Sequence, residues 1–533
     1  MEYIHNTEQF QFHNTVVALG KFDGMHKGHQ LIFDELIQYK QLGYQAAVFS
    51  FDRPPLNMLK HKHMRVIYTT NEKIKLLARR GIDIYIEHPF TDEFSHLSPE
   101  DFVIKVLLEK TGMKVLVVGS GGREHAIVWK LSQSPKVDKI YCAPGNAGIG
   151  QLAELVNIGA MEFHKLIEFV KNEGIDFTVV GMDDPLVGGI VDAFEKEGLR
   201  IFGPRANAAI IEGSKAFSKE LMRKYNIPTA EYGTFSDYDL AVEHVKNGNF
   251  PVVLKAAGLA LGKGVLICNT LEEALEGLKE IMLDKKFGDS GNTVVIEEFL
   301  TGPEMSVLSF CDGKTIVPMV SAQDHKRAYD NDEGLNTGGM GTFSPSRVYT
   351  KELAEECMKT IYQPTVDALN EEGRTFKGII FFGLMLTPKG MKVIEYNARF
   401  GDPETQVVLP RLKTDLMEIF EACVDGTLDK VDVQWEDNAA ACVVMASGGY
   451  PVSYKKGYEI TGLEDAEAMD NITVFHAGTA LQDGKFVTNG GRVLGVTGVG
   501  ENLDEAIKTA YEGVAKIDFK DKHFRKDIGI KKY

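Results

Sequence analysis

The chain has 533 residues and a mass of 59.0 kDa. That is too long for one compact domain, and roughly three to five domains are expected. With 44% hydrophobic and 25% charged residues the composition is that of a globular protein, which excludes wholesale disorder. The 59 Lys+Arg against 76 Asp+Glu give a net charge of -17, which excludes a protein that coats a nucleic-acid backbone.

Membrane and disulfide classes are also excluded by the sequence. The longest apolar run, residues 378–386, is about half the length of a bilayer-spanning helix and is predicted to be a buried strand. The first ten residues lack the basic start and apolar core of a signal peptide, so a cytoplasmic protein is expected. Six cysteines occur without a C-x-x-C pair, which argues against metal knuckles and disulfide scaffolds and predicts small buried side chains.

The first part of the chain alternates between strand and helix patterns. The predicted strands are 15–19, 45–51 and 83–86, and the predicted helices are 31–39, 73–78 and 99–110. This alternation predicts a parallel α/β sheet. The pattern then restarts at Met113, where an apolar strand runs into glycines, and we place a domain boundary at 112/113.

Three further domains are predicted after that boundary. Residues 113–213 have the alternation of a small doubly wound domain. Residues 214–437 are strand-rich with interleaved helices, an α+β pattern with a lid subdomain at about 230–300, and residues 438–533 form a small α+β domain. The fold class is therefore a multidomain combination of α/β and α+β units.

The segment Gly119-Ser120-Gly121-Gly122-Arg123-Glu124-His125 follows a strand and opens a helix. Backbone N–H groups and the helix dipole make such a turn an anion site. A dinucleotide-binding fingerprint requires glycine where Glu124 stands, so a nicotinamide or flavin site is disfavoured. The loop 143–148, which follows the next strand, is either a facing loop or an ordinary turn.

A second glycine-rich segment lies between two strands. Residues 255–265 place Lys255 and Lys263 around a glycine-rich hairpin, which can close over a triphosphate. It is not a Walker loop, because no G-K-[ST] sits at a strand-to-helix turn. A solvated hairpin is the alternative.

Glu395 and Asn397 lie two residues apart on a predicted strand, so their side chains share one face. Oxygen ligands at this spacing suit Mg²⁺ that bridges nucleotide phosphates, and a solvated strand edge is the alternative. Arg399 and Asp402 follow within a few residues. A charged loop at 323–327 and a glycine-rich loop at 336–341 are predicted to form a substrate lid.

Together these segments resemble phosphoribosylamine–glycine ligase, a family of the ATP-grasp superfamily. The segments that carry the resemblance are GSGGREHA (119–126), APGNAG (143–148), EGSKAFSK (212–219), KAAGLALGKGV (255–265), IEEFLTGPE (296–304), QDHKR (323–327), NTGGMG (336–341), EYNARFGDPETQ (395–406) and TNGGRVLGV (488–496). They occur in the family's order from Met113 to the C-terminus.

The resemblance implies an ATP-dependent carbon–nitrogen ligation in de novo purine synthesis. ATP phosphorylates the glycine carboxylate, and the amine of 5-phosphoribosylamine attacks the glycyl phosphate to give glycinamide ribonucleotide, ADP and phosphate. Such an enzyme must position charged reactants and exclude water from the acyl phosphate. No covalent nucleophile is required.

The resemblance also implies roles for individual residues. The implied catalytic residues are Arg399, Asp324, His325 and Lys255. The implied ATP-binding residues are Lys215, Lys255, Lys263, Glu297, Glu298, Phe299, Leu300 and Glu304. The implied substrate-binding residues are Gly121, Gly122, Arg123, Glu124, Asn146, Asn336, Gly338, Gly339, Met340 and Asp402. Glu395 and Asn397 are the implied ligands of Mg²⁺ or Mn²⁺.

The sequence departs from the common family pattern at several positions. Ala257 and Leu261 stand where the hairpin usually has Asp and Ala, and residues 181–186 read GMDDPL rather than GPEAPL. The glycines and lysines of the hairpin are retained, so the expected activity is unchanged. Residues 382–385 offer no acid one strand before the metal pair, which leaves a second metal ion open.

Residues 1–112 resemble a different family. VVALGKFDGMHKGHQ (16–30) is similar to the nucleotide-binding start of bacterial FAD synthetase, in which the histidines at His26 and His29 contact ATP phosphates. Residues 51–54 and 90–102 continue the resemblance to about residue 110. The family's later elements are missing, so we expect this leader to be a truncated, catalytically inert segment.

Three hypotheses follow for function. The chain is a ligase, or the leader acts as an FMN adenylyltransferase that releases pyrophosphate, or the leader is a non-catalytic appendage on the ligase. The expected partners are glycine and 5-phosphoribosylamine, without nucleic acid or membrane, in a monomer or weak dimer.

Overall fold

The computed structural model describes residues 1–5, 15–40, 43–52, 67–91, 94, 112–259 and 264–530. It divides into two compact units, residues 1–114 with 135–139 and residues 115–134 with 140–533. The predicted helix at 99–110, Leu261 and Lys263 lie outside the described residues.

The strands are numbered in chain order. They are β1 (Glu2–His5), β2 (Thr15–Leu19), β3 (Gln45–Phe51), β4 (Ile84–His88), β5 (Met113–Gly119), β6 (Val137–Pro144), β7 (Glu154–Leu155), β8 (Phe177–Val180), β9 (Ile201–Phe202), β10 (Tyr232–Phe235), β11 (Val252–Ala256), β12 (Val265–Cys268), β13 (Val294–Glu298), β14 (Glu304–Asp312), β15 (Ile316–Pro318), β16 (Gln323–Asp324), β17 (Arg327–Tyr329), β18 (Glu333–Asn336), β19 (Gly341–Ser344), β20 (Lys377–Thr387), β21 (Gly390–Asn397), β22 (Ala439–Ser447), β23 (Ile472–His476), β24 (Thr479–Gln482), β25 (Lys485–Thr488), β26 (Arg492–Gly500) and β27 (Lys522–His523).

The helices are numbered in the same way. They are α1 (Lys27–Lys40), α2 (Thr70–Arg79), α3 (Gly122–Leu131), α4 (Phe163–Glu173), α5 (Asp183–Val187), α6 (Ile190–Lys196), α7 (Ala206–Gly213), α8 (Lys215–Lys224), α9 (Tyr238–Lys246), α10 (Leu271–Leu278), α11 (Lys351–Cys357), α12 (Gln363–Glu371), α13 (Thr405–Val408), α14 (Leu416–Asp425), α15 (Leu463–Glu467) and α16 (Leu503–Lys516).

The first unit contains a parallel sheet in the order β1-β4-β3-β2. Its central strand β3 is buried from Ala46 to Ser50, as expected for a parallel strand covered on both faces. Helix α2 begins at a capping box in which Thr69 and Glu72 satisfy each other's backbone N–H groups. The predicted βαβ start is confirmed.

The second unit begins with a five-stranded sheet in the order β7-β6-β5-β8-β9. The pairs β5–β8, β6–β7 and β8–β9 are parallel, which confirms the doubly wound pattern predicted after Met113. Strand β5 ends at Gly119, and helix α3 begins three residues later. This geometry directs the N-terminus of α3 towards the carboxyl edge of the sheet, where ligands bind in such folds.

Two four-stranded antiparallel sheets follow. One has the order β10-β13-β11-β12 and packs against helices α9 and α10, while the other has the order β15-β14-β20-β21. Helices α11 and α12 follow each other closely and are joined by a π-helical turn, Met358–Tyr362. The predicted strand carrying Glu395 and Asn397 is β21.

The last sheet has the order β16-β19-β22-β26-β23, with β27 paired to β22. The sequence pattern indicated loops at 323–327 and 336–341. The loop prediction is confirmed for residues 325–326 and 337–340, which lie between strands. It was wrong at the ends of the two segments, where residues 323–324 form β16 and residue 341 begins β19, because β16 pairs with β19 and β19 pairs with β22. Strands that precede residue 437 are thus built into the C-terminal sheet.

All six cysteines are buried and free, as predicted. Within the described ranges, no helix is both long and apolar enough to cross a bilayer.

Candidate active site

The turn between β5 and α3 is closed by the buried carboxylate of Glu124, whose side chain is 2% exposed. Its Oε2 accepts the Gly121 N–H at 2.6 Å, and its Oε1 pairs with Arg123 Nε at 2.7 Å. A Cβ on Gly119, where φ is +136°, would lie 2.5 Å from Glu124 Cγ, and one on Gly181 would lie 2.4 Å from Oε1. Glycine at these positions therefore makes room for Glu124, which points into the protein.

Asp402 lies directly against the same turn. A Cβ on Gly121 would be 3.4 Å from Asp402 Oδ2, and one on Gly122 would be 3.5 Å from Oδ1. Arg492 and Arg123 lower the pKa of the Asp402 carboxyl against the opposing effect of burial, which is the largest single influence. The fold thus brings a carboxylate from residue 402 to the first glycine turn.

The loop at 143–148 faces this turn, since Gly145 N–H donates to Gly119 O at 3.0 Å. The Asn146 amide donates to Ser120 O and His476 O, both at 2.9 Å, and its Oδ1 accepts the N–H groups of Gly148 and Ile149. Its side-chain hydrogen-bonding groups are thus occupied by the protein. Asn146 fixes the two loops relative to each other.

Three lysines converge on strand β13. Lys255 Nζ lies 2.9 Å from Glu297 Oε1, and Lys219 Nζ lies 3.0 Å from Glu297 Oε2. Lys215 Nζ donates to Gly258 O at 3.0 Å, at the base of the glycine-rich hairpin. Burial lowers the pKa of Lys215 and lowers that of Lys219 to about 8. This concentration of ammonium groups suits a polyphosphate.

The other residues predicted for ATP lie where β13 ends, where β14 begins and on the connection between these two strands. Glu298 ends β13 and pairs with Lys392 at 2.7 Å, and Phe299 follows it with 37% of its surface exposed. Glu304 begins β14 and is exposed. Leu300 lies between them on the connection from β13 to β14.

Glu395 and Asn397 lie on one face of β21, paired across the ladder with Gly383 and Phe381. Lys326 Nζ lies 3.3 Å from Glu395 Oε1. Lys326 first, then Lys255 and Lys215, lower the pKa of the Glu395 carboxyl to about 2 although burial opposes this. A permanently ionised carboxylate beside an amide oxygen fits a divalent cation.

The neighbouring strand offers no further acid. A Cβ on Gly383 would lie 2.7 Å from Glu395 Cγ, so glycine leaves space for the glutamate stem. Among the described residues, no group of three or more His, Cys, Asp and Glu side chains is arranged to hold a metal ion. Two protein oxygens suit Mg²⁺, which usually takes its remaining ligands from water and substrate phosphates.

Arg399 is held at this edge by a buried acid. Its Nη2 lies 3.3 Å from Glu212 Oε1, and Glu212 Oε2 accepts the Ala398 N–H at 2.7 Å. The Arg399 Nε is buried without a hydrogen-bond partner. Arg399 also lowers the pKa of the Asp183 carboxyl, where burial has the opposite effect. Asp183 of the GMDDPL segment therefore lies close enough to the Arg399 guanidinium to interact with its charge.

Asp324 and His325 lie on β16 and just after it. Burial, then the charge of Glu404, raises the pKa of Asp324 well above its ordinary value. The His325 ring contacts the Gly341 carbonyl through Nδ1 at 3.1 Å and accepts the Gly529 N–H through Nε2 at 3.2 Å. Both ring nitrogens thus meet backbone atoms, and burial lowers the His325 pKa to about 4.

The loop at 336–341 is folded onto Asp324. A Cβ on Gly339, where φ is +114°, would lie 2.7 Å from Asp324 Oδ1. Asn336 pairs with Arg327 in the β17–β18 ladder, and Met340 is fully buried. Gly338 is contacted from the C-terminal sheet, where Arg492 donates to its carbonyl at 2.7 Å.

Sequence reasoning missed four side chains at this site. They are Lys219, Glu212, Lys326 and Arg492. Each lies inside a segment quoted for the family resemblance, so a signal was present. Their partners are distant in the chain, and only the fold identifies them.

In the first unit, the leader's two histidines lie together at the start of α1. The rings of His26 and His29 stack with centroids 3.7 Å apart, and His29 also meets the ring of Phe22. Burial, then His26, lowers the His29 pKa. The contact of these histidines with ATP phosphates, which the leader's resemblance implies, stays a prediction.

Family models match nearly the whole second unit. The N, ATP-grasp (A) and C domains of phosphoribosylglycinamide synthetase match residues 113–212, 213–405 and 440–531. A phosphoribosylamine–glycine ligase of Caldanaerobacter subterraneus is 53% identical over 416 residues, which are 78% of this chain and 99% of the relative. The chain belongs to the phosphoribosylamine–glycine ligase family. It is an ATP-dependent carbon–nitrogen ligase of the ATP-grasp superfamily, a group that uses ATP with divalent metal ions.

Other relatives agree with this family. A phosphoribosylamine–glycine ligase of Halalkalibacterium halodurans is 49% identical and covers 79% of this chain and 97% of its own. The crystal structure of the Thermotoga maritima ligase is 34% identical, with a TM-score of 0.67 over 78% of this chain and 100% of that one. The biotin carboxylase domain of Hydrogenobacter thermophilus 2-oxoglutarate carboxylase, at 16% identity and a TM-score of 0.60, covers 77% of this chain and 91% of its own and shares the fold.

The leader matches a separate model, that of FAD synthetase, over residues 8–123. This match overlaps the ligase N-domain match at residues 113–123, which are β5 and the first glycine turn. The two families' patterns therefore meet in a shared strand-and-turn sequence.

Proposed function

We propose that the chain joins glycine to 5-phosphoribosylamine in de novo purine biosynthesis. The γ-phosphoryl group of ATP passes to the glycine carboxylate, which gives glycyl phosphate and ADP. The amine of phosphoribosylamine then attacks the acyl carbon, and phosphate leaves as glycinamide ribonucleotide forms. Family membership supports this reaction.

The observation that carries the proposal is the convergence of charge on Glu395. Lys255 and Lys215, predicted to bind ATP, lower the pKa of the very carboxyl predicted to bind metal. These residues come from β11, α8 and β21, which are far apart in the chain. Their meeting is expected if they share one Mg-ATP.

We assign the site residues on this basis. Lys215 and Lys255, with Lys263 of the hairpin, neutralise the ATP phosphates. Glu297 to Leu300 border the adenine and Glu304 the ribose. Glu395 and Asn397 hold Mg²⁺ or Mn²⁺, which neutralises phosphate charge when bound. Arg399 stabilises the transferring phosphoryl group.

The acceptor side is assigned to the other cluster. Asp324, His325 and the loop at 336–341 line the glycine and amine side, with Asp402 beside them. The turn at 121–124 receives the ribose phosphate at the N-terminus of α3, where backbone N–H groups favour an anion. The engaged ring nitrogens of His325 support a role in shaping this side rather than in proton transfer.

We propose that the functional domains are 113–213, 214–437 with a lid at about 230–300, and 438–533. A cytoplasmic monomer or weak dimer, acting on small molecules without nucleic acid or membrane, is the state expected of such a ligase. Residues 1–112 are proposed to be an inert, truncated FAD synthetase-like segment fused to it.

Nucleotide product analysis tests this proposal. The full-length chain is incubated with Mg-ATP and either glycine plus freshly generated phosphoribosylamine or FMN. ADP that forms only when both ligase substrates are present supports the ligase. Pyrophosphate formed with FMN would instead show that the leader is an active adenylyltransferase, and the absence of ADP would overturn the ligase assignment.

A further inference from the structure

Arg492 is the first residue of β26 and extends from the C-terminal sheet into the site. Its Nη1 donates to Gly338 O at 2.7 Å and to Asp402 O at 2.8 Å, while Nη2 pairs with Asp402 Oδ2 at 2.9 Å. One planar guanidinium therefore joins the loop at 336–341 to the segment after β21. The fork geometry of arginine suits this double contact, and lysine cannot reproduce it.

The sequence before Arg492 makes this reach possible. A Cβ on Gly491 would lie 2.3 Å from the Tyr450 ring, and one on Gly490 would lie 2.8 Å from Gly478 Cα. Gly491 thus lets the chain pass closely against Tyr450, and Gly490 lets it pass closely against Gly478. The Tyr450 hydroxyl accepts the Gly338 N–H at 3.3 Å, so the C-terminal sheet contacts the same glycine through a second residue.

The two groups that Arg492 joins both border the predicted acceptor side. Asp402 lies against Gly121 and Gly122 of the first turn, and Gly339 lies against Asp324. The guanidinium packs directly against Gly338, where a Cβ would lie 3.0 Å from the Arg492 Cζ. The Arg492 guanidinium therefore lies between Asp402 and the loop at 336–341 and contacts both.

We propose that Arg492 is a positioning residue for phosphoribosylamine, which makes the C-terminal domain part of the acceptor site. The inference rests on the proposed function. Arg492 fixes Asp402 beside the first glycine turn and fixes the 336–341 loop over Asp324. Without it, the phosphoribosylamine side loosens while the ATP side, built from Lys215, Lys255 and Glu395, is left in place.

Steady-state kinetics of Arg492→Gln and Arg492→Lys test this role. Phosphoribosylamine is formed in the assay from ribose 5-phosphate and ammonia. The KM for this substrate should rise about tenfold or more in Arg492→Gln, which is the loss expected for a charge-assisted hydrogen bond. The KM for ATP should stay within about twofold, since no atom of the ATP side is changed.

Arg347→Gln is the matched control. Arg347 also ties the chain before residue 437 to the C-terminal region, through Asp504 Oδ1 at 3.0 Å and Gly529 O at 3.2 Å. Within the part of the chain that the structure describes, it forms no hydrogen bond or ion pair with Asp402 or Gly338. It should leave every KM unchanged. If Arg492→Gln does not fold, Arg492→Lys decides, because it keeps the charge and stem but loses the fork.

The outcomes separate the two proposals. If wild-type protein makes glycinamide ribonucleotide and the Arg492 variants show an unchanged KM for phosphoribosylamine, or an equal rise for ATP, the positioning role is overturned and the ligase assignment stands. If wild-type protein makes none, both are overturned. A selective rise that Arg347→Gln lacks supports the positioning role.

Discussion

Two turns in this chain each lead from a strand of a parallel sheet into a helix, and different side chains pack inside them. In the leader, β2 ends at Leu19 and the turn closes on the buried ring of Phe22, which a Cβ on Gly20 would meet at 2.9 Å. In the ligase, β5 ends at Gly119 and the turn closes on the carboxylate of Glu124. The two turns differ in length, since α1 begins at Lys27 and α3 begins at Gly122.

The side chains that fill each turn decide its chemistry. In the leader turn, the rings of His26 and His29 stack on each other, and His29 packs against the apolar ring of Phe22. The ligase turn packs against the carboxylate of Glu124, and a second carboxylate, that of Asp402, also contacts it. The comparison teaches that a glycine-containing turn after a strand does not determine its own chemistry, because an aromatic ring packs inside one turn and a carboxylate inside the other.

The largest expected effect comes from removing the charge centre of the ligase site. Glu395→Ala should lower the ligation rate by about 10²–10³, the usual loss when one charge-stabilising group is removed. Rapid-quench measurement of ADP formation checks this. Glu355→Ala, at an exposed position on α11, is the control and should retain full activity. An unchanged ligation rate in the Glu395 variant would contradict the assignment of Glu395 as a metal ligand.

The next largest effect is expected on stability, from removing the Glu124 carboxylate inside the ligase turn. Glu124→Ala leaves the Arg123 guanidinium and the Gly121 N–H without this partner, and breaking a buried pair on one side costs about 3–5 kcal/mol. Urea unfolding should show that loss. Glu162→Ala, which removes an exposed carboxylate paired with Lys165, should cost well under that amount. Equal stabilities of the two variants would mean that the contacts of Glu124 with Gly121 and Arg123 do not stabilise the turn.

A pH dependence follows from His125, which comes after Glu124 on α3. Burial, then His476, lowers its pKa from 6.5 to about 3. The unfolded chain therefore binds the proton first, so the stability that neutral His125 provides is complete above pH 6.5 and falls as the pH drops towards 3. Between pH 6.5 and 5 this loss is about 2 kcal/mol.

Unfolding midpoints at pH 5, 6 and 7 measure this dependence. His125→Gln should flatten the acid-side slope relative to wild type, whereas His164→Gln at the start of α4 should leave the slope unchanged. A His125 variant with the wild-type slope would contradict the assignment.

The smallest expected effect lies in the leader. His29→Ala should leave the rate of ligation unchanged, because the residues assigned to the ligase site all follow Met113. Ligation assays on the full-length variant test this, with Glu395→Ala as the inactive reference. A large loss in the His29 variant would show that the leader contributes to the ligase, and would remove the contrast between the two turns.

Much of the fold was predictable. The strands Thr15–Leu19 and Gln45–Phe51 were predicted to the residue, since apolar periodicity is a local signal. The loop prediction for 323–327 and 336–341 was confirmed only for residues 325–326 and 337–340. Residues 323–324 and 341 lie in strands because β16 pairs with β19 and β19 pairs with β22, about 100 residues downstream, and sequence pattern carries no such pairing information.

The sequence by itself determined the family, the order of its motifs and the placing of Glu395 and Asn397 on one face of a strand. These depend on residue identity and on spacing of a few positions. Only the tertiary structure decided that Lys219 meets Glu297, that Glu212 holds Arg399 and that Arg492 joins Gly338 to Asp402. Contacts between residues far apart are set by sheet order and register, and those properties arise from the packing of the whole unit.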